Sequence, residues 1–408
     1  MAKPSHQKII DVVTYRGWGG YFFEDIDKIR QSFIPPADRY HTPTGHDRYP
    51  FVRTPAPVVG IGLKLDDGSI HWGDAVAVSF GGKAGRSGPG HAESLIAWVQ
   101  DDFKTWCKGR TISRWIEIER EFLAAFKTTP PFVRYAVSQA MLSAAVHTTG
   151  ETPHHMIATD LGLTPSKKPI PMHGSSGADF GATVDRMLAR SLMFLPQGQF
   201  ENLNEQIGQG GAKLLSWIRE FKQRAAKFNY TPTLTLDFHG ALDAVFAKDN
   251  GKIAEFIIAM AKESFPHPLH VESPVVGVTL QDHSNRFAAI RVQVKKLSPT
   301  TKLVADEWAN EVSDIDSLIK AGAVDGVHIK MPDTGALSEC AAAVAVCKSA
   351  GIFALLGGSC TETDLGARAS LHLALATQPA ALLVKPGMGF DESYVAMFNE
   401  MARALVTR

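Results

Sequence analysis

Cysteine is scarce in this chain. Only Cys107, Cys340, Cys347 and Cys360 occur among 408 residues. No two form a Cys-x-x-Cys pair, so the spacing of structural zinc sites is missing, and a disulfide framework is not expected at this length. Neither sign of charge is in excess. Lys and Arg total 42, Asp and Glu also 42, and the formal net charge is zero. That balance argues against nucleic acid or an anionic membrane as the main partner. No apolar run reaches the roughly 18 residues of a membrane span. The first residues, MAKPSHQKII, lack the apolar centre of a signal peptide. These absences lead to the expectation of a cytoplasmic protein with no nucleic-acid or membrane partner.

What is present is enough apolar residue, 45%, to bury a large core in a chain too long for one ordinary domain. Two rhythms divide it. Residues 8–15, 57–65 and 69–78 read as strands, the last two flanking Asp66-Asp67-Gly68, where Asp-Gly supplies the positive φ of a tight turn. Helical patterns follow over 91–126 and 131–147. Strands followed by helices suggest an α+β unit. The stretch Phe80-Gly81-Gly82-Lys83-Ala84-Gly85-Arg86-Ser87-Gly88 fails the Walker spacing and reads as a mobile loop rather than a phosphate cradle. Residues 35–56 read as a long irregular loop of the kind that forms lids.

From residue 168 short apolar runs alternate with helical segments. Strands are expected near 169–173, 191–196, 233–238, 268–272, 302–306, 325–330, 352–356 and 381–384. Helices are expected near 205–227, 250–264, 314–321, 335–349 and 362–376. This alternation predicts an α/β fold with a (β/α)8 TIM-type barrel, preferred over an open doubly wound sheet. The expected domains are residues 1–160, an α+β cap, and residues 161–408, the barrel.

Three of the apolar runs terminate in a carboxylate: Asp237, Glu272 and Asp306. Strand ends share one face of a barrel, where active sites assemble. An acid after one strand is commonly a helix cap. Acids on three successive strands repel unless a cation sits among them, and hard oxygen donors suit Mg2+. The next strand ends in Lys330. A divalent neighbour disfavours a charged amine, so Lys330 is a candidate general base; the alternative is a structural ion pair with the acids, with Asp333 as a further partner. Together these parts would remove a proton beside a substrate carboxylate and stabilise the resulting enediolate.

At these residues the chain resembles the methylaspartate ammonia-lyase family of the enolase superfamily. The likeness runs nearly end to end and is carried by Leu236-Asp237, Val271-Glu272-Ser273-Pro274, Val304-Ala305-Asp306-Glu307-Trp308, Ile329-Lys330-Met331-Pro332-Asp333, Gly357-Gly358-Ser359-Cys360-Thr361-Glu362-Thr363 and Lys385-Pro386-Gly387-Met388-Gly389. The resemblance implies a modified barrel beneath an enolase-like cap, Mg2+ on Asp237, Glu272 and Asp306, and Lys330 as catalytic base. It also implies elimination of ammonia from 3-methylaspartate or a related amino acid in amino-acid catabolism, and a homodimer. Substrate contacts are expected from His173, Ser175, Gln197, His328, Ser359, Cys360 and Leu383. The chain departs from the family's pattern at several of them. Gln197 replaces a histidine facing the lysine across the substrate. Ser175, His328 and Ser79 each replace a glutamine, and Leu355 replaces a tyrosine. The alternatives are another superfamily reaction on a carboxylate substrate, such as hydroxy-acid dehydration or racemisation, and a non-catalytic metal-binding barrel. His154-His155 reads as a surface pair, since neighbours on a helix do not share a face.

Overall fold

The computed structural model describes residues 6–46, 49–76, 83–88, 90 and 92–407. Ser79 and Phe80 to Gly82 of the glycine-rich stretch lie outside them. Strands β1 (Gln7–Glu24), β2 (Pro43–His46), β3 (Tyr49–Phe51), β4 (Arg53–Leu65), β5 (Ile70–Val76) and β6 (Thr111–Ile112) come first. Of these, β5, β4, β1 and β6 form one antiparallel sheet in that order. The β4–β5 hairpin turns where Asp-Gly predicts it. Gly68 takes φ 87, and Asp67 Oδ1 accepts the Ser69 amide at 2.9 Å. Ile61, Leu63 and Leu65 on β4 are fully buried and belong to the same core as the helix Pro131–Thr149. That helix runs close enough to the sheet that a Cβ on Gly73 would fall 1.9 Å from the Ala136 carbonyl oxygen.

Two expectations for this cap differ from the structure. The helical pattern of 91–126 is broken: helix Ala92–Trp98 passes through a π-turn and ends at Cys107, and a second helix starts at Trp115. Gly109, at φ 84, turns the chain into β6 between them. The span 35–56 is not wholly irregular, because β2 and β3 pair as a small hairpin within it.

The barrel strands are β7 (Met172–His173), β8 (Phe194–Gln199), β9 (Thr233–Asp237), β10 (Leu269–Glu272), β11 (Lys302–Ala305), β12 (Gly326–Lys330), β13 (Phe353–Gly357) and β14 (Ala381–Leu383). They close in the ring order β10-β11-β12-β13-β14-β7-β8-β9, every pair parallel. Strands covered on both faces read as largely apolar runs, and every residue of β9, β10 and β12 is buried, the Thr and His among them included. Two of the outer helices start at side-chain caps: Asp249 accepts from the amides of Gly251 and Lys252, and Thr279 from that of Asp282. Each cap satisfies amides the helix leaves unpaired. Ring order places β8 and β12 on opposite sides of the barrel. His154 is not on the surface: it is 2% exposed, with its ring stacked on His372 at 5.7 Å, while His155 is exposed.

Candidate active site

The C-terminal ends of the strands converge on a cavity of about 570 Å³ whose wall includes Ser175, Gln197, Asp237, Asp306, His328, Lys330, Ser359 and Cys360. Asp237 and Glu272 are the last residues of adjacent strands, aligned in register. Glu272 contacts two wall residues: its Oε1 lies 2.8 Å from His328 Nδ1, and its Oε2 accepts from Gln197 Nε2 at 3.3 Å. Lys330 Nζ donates to Asp306 Oδ2 at 2.7 Å. The other two predicted contacts are elsewhere. His173 is buried, its ring stacked on Phe194 at 5.9 Å. Leu383 packs with Phe194, Leu355 and Ala381 in a separate apolar cluster. Neither His173 nor Leu383 is among the residues of the cavity wall.

Three residues of this cluster were not expected from the sequence. His239 bridges two acids, with Nε2 3.0 Å from Asp237 Oδ2 and Nδ1 3.0 Å from Glu307 Oε1. Arg86 enters from the cap, 1% exposed at its side chain. Its Nε donates to Asp333 Oδ2 at 2.9 Å and its guanidinium reaches Asp306 Oδ1 at 3.1 Å. Asp333 therefore pairs with Arg86, and the carboxylate bonded to Lys330 is Asp306. His239 and Glu307 had a readable signal, each within two residues of a strand-end acid. Arg86 had none beyond the glycines around it.

Burial and crowding set the charge states. Asp237 is pushed up to about 7, first by burial and then by the neighbouring Glu272 carboxylate. Burial would also raise Asp306, but Lys330 and Arg86 outweigh it and hold that carboxyl below its ordinary range. Burial and Arg86 would lower Lys330; Asp306, Asp333 and Glu307 prevail and raise it. His328 is likewise raised against its burial by Glu272 and Asp306. Among carboxylates alone, then, Lys330 is a favoured cation. The lowered pKa expected of a base belongs to a site that also holds a divalent ion.

The donors fit such an ion. Glu272, Asp306 and His328 offer atoms within 4.8 Å of one another, as do His239, Asp306 and Glu307. Asp237 is in neither group; its Oδ2 lies 3.0 Å from His239 Nε2. Glu307 Oε2 is buried without a hydrogen-bond partner, which is costly for a carboxylate oxygen, and Asp306 Oδ1 has the Arg86 ion pair but no hydrogen bond. Asp237, Glu272, Asp306, Glu307 and Asp333 outnumber the bases His239, His328, Lys330 and Arg86, and their oxygens are the donors Mg2+ prefers.

Comparison with known proteins agrees with this architecture. The family model described as the methylaspartate ammonia-lyase N-terminus matches residues 7–162, and that of the C-terminus matches residues 164–408. The chain is 32% identical to methylaspartate ammonia-lyase of Citrobacter amalonaticus over 98% of both chains. It is 33% identical to methylaspartate ammonia-lyase 1 of Carboxydothermus hydrogenoformans over 98% of this chain and 96% of that one. The crystal structure of the Citrobacter amalonaticus enzyme containing (2S,3S)-3-methylaspartic acid matches with a TM-score of 0.89 over 98% of both chains. The Mg complex of β-methylaspartase from Clostridium tetanomorphum matches at 0.87, with 29% identity over 98% of both. A mandelate racemase/muconate lactonizing protein from Herpetosiphon aurantiacus, 17% identical with a TM-score of 0.66 over 93% of this chain and 89% of that one, shares the fold. With both parts of the family model matched and relatives aligned along nearly all of its length, the chain belongs to the methylaspartate ammonia-lyase family, whose members are Mg2+-dependent carbon–nitrogen lyases.

Proposed function

We propose that the protein eliminates ammonia from 3-methylaspartate or a closely related amino acid, with Lys330 as the base. The observation that carries this reading is Lys330 Nζ, 2.7 Å from Asp306 Oδ2, in the wall of a cavity lined by strand-end acids. Asp237, Glu272 and Asp306 would hold Mg2+, which when bound supplies a counter-charge for the substrate carboxylate and for the negative charge that develops on it. The Lys330 amine, once neutral, takes the proton from the carbon next to that carboxylate. The electron pair left behind forms the carbon–carbon double bond as the bond to nitrogen breaks, and ammonia departs. Ser175, Gln197, His328, Ser359 and Cys360 are placed to orient the substrate, since each lines the cavity. Lys330 and Gln197 stand on opposite strands, so the base acts from one face only.

We place the division between cap and barrel at residues 160/161, just after helix Pro153–Asp160. We further propose a homodimer working in the cytoplasm in amino-acid catabolism, a reading supported by the family resemblance for the dimer and the catabolic role. The test is the rise in ultraviolet absorbance of a conjugated acid when protein, Mg2+ and 3-methylaspartate are mixed. A Mg2+-dependent rise supports the reading. No rise with Mg2+ bound would point to another diacid, to be sought among amino and hydroxy acids.

A further inference from the structure

The glycine-rich segment of the cap has no part in the chemistry above, yet it delivers the most deeply buried cation of the site. Lys83 to Gly88 lies on the loop after β11. Asn310 Nδ2 donates to the Ala84 carbonyl at 2.8 Å. Gly85 adopts φ 75, and a Cβ there would lie 3.0 Å from Asn310 Nδ2 and 3.1 Å from the Trp308 ring. A left-handed residue without a side chain is what lets the loop sit this close. The next residue, Arg86, then points into the barrel, where it meets Asp333 and Asp306 from the side opposite Lys330's bond to Asp306: Arg86 approaches Oδ1 and Lys330 holds Oδ2. Arg86 lines a second cavity of about 530 Å³ behind His239 and Glu307 and is not among the residues of the substrate cavity.

We propose that Arg86 is a positioning residue: its guanidinium fixes Asp306 and Asp333 so that Lys330 is aimed at the substrate, and docking of the cap loop thereby completes the barrel's active site. A planar fork suits this task, because it can hold two carboxylates at a fixed angle where an ammonium cannot. The inference rests on the ammonia-lyase reading.

The test compares wild type with Arg86→Gln, Arg86→Lys and Gly85→Ala, each checked for native circular dichroism. Misplacement of a reacting group by about 1 Å costs on the order of 100-fold. The expected result is a kcat lower by about that factor in Arg86→Gln with KM within about threefold. Partial rescue is expected in Arg86→Lys, and a milder kcat loss in Gly85→Ala, where the charge remains but its approach is strained. Mg2+ affinity, measured by calorimetry without substrate, should be unchanged or tighter in Arg86→Gln, because a cation beside the acids has been removed. A kcat within threefold of wild type would overturn the proposal. So would Mg2+ affinity falling in parallel with kcat, which marks a collapsed site. A wild type that eliminates nothing from any diacid would instead sink the lyase reading, and this inference with it.

Discussion

The barrel and the cap reach the active site by different routes. The barrel contributes the last residues of strands: Asp237, Glu272 and Lys330 end β9, β10 and β12, and Asp306 follows β11. The cap contributes side chains from a helix, from loops and from an end of its own sheet. Arg30 on the helix Ile26–Ser32 donates to the carbonyls of Phe200, Phe238 and His239. Arg53 pairs with Glu24 and Glu201, Arg39 with Glu201, and Arg86 with the acids beneath. The barrel holds its groups by burying apolar strands around them. The cap holds its own by buried ion pairs to the barrel's loops, so its loss should disturb the site more than the barrel fold.

The largest effect on metal binding is expected within the barrel. Asp306→Asn keeps the size of the side chain and removes the charge that Lys330 and Arg86 both contact. Mg2+ affinity, followed by calorimetry, should drop by about 100-fold or more, since the ligand set loses an anion. Retained affinity would remove Asp306 from that set. Next comes the cap–barrel seam. Arg53→Ala leaves Glu24 with the Gln199 amide and Glu201 with Arg39 as its ion-pair partner, and breaking a buried pair costs about 3–5 kcal/mol. Urea denaturation reads this directly, and a loss below about 1 kcal/mol would show that water screens the seam.

A third prediction concerns pH. Glu119 is buried where the helix Trp115–Ala125 meets Ser138, which also accepts the Leu337 amide of the barrel. Burial raises its pKa from 4.5 to about 7. The folded state therefore keeps a proton that the unfolded chain releases. The stabilisation is full below the unfolded value and is lost as pH rises towards 7, by about 3 kcal/mol in all. Glu119→Gln should remove this slope, so the stability difference between wild type and variant should change by that amount between pH 4 and pH 8. A constant difference would show that burial does not move this carboxyl away from its unfolded value. The smallest expected effect is a gain. Gln197→His places a titratable ring across the barrel from Lys330, and should raise turnover of the C3 epimer of 3-methylaspartate by about tenfold, within the range of general acid–base catalysis. An unchanged rate would mean that position 197 does not face the substrate.

The same contrast explains what could be read in advance. Barrel strands are apolar because both faces are covered, so β9, β10 and β12 stand out, and a charged residue ending each one marks the site. The first barrel strand was expected over 169–173 but pairs only at Met172 and His173, too few residues to leave a pattern. His239 sits in a turn at φ 42, and its role depends on Glu307 from the loop after another strand. Arg86 is the harder case. Nothing in a glycine-rich loop tells where its arginine will land until the loop after β11 is in place beside it. A histidine at a strand end reads as a substrate contact, yet the His173 ring stacks on Phe194 and is buried. Strand-end position alone does not say which way a side chain turns.

The ultraviolet assay on wild type and Lys330→Ala, with Mg2+ binding measured on both, decides whether Lys330 is the base of a Mg2+-dependent elimination. The variant is expected to bind Mg2+ and to lose about 1,000-fold or more in turnover, the scale of a positioned general base. A variant that still eliminates ammonia at a rate near wild type would contradict that role.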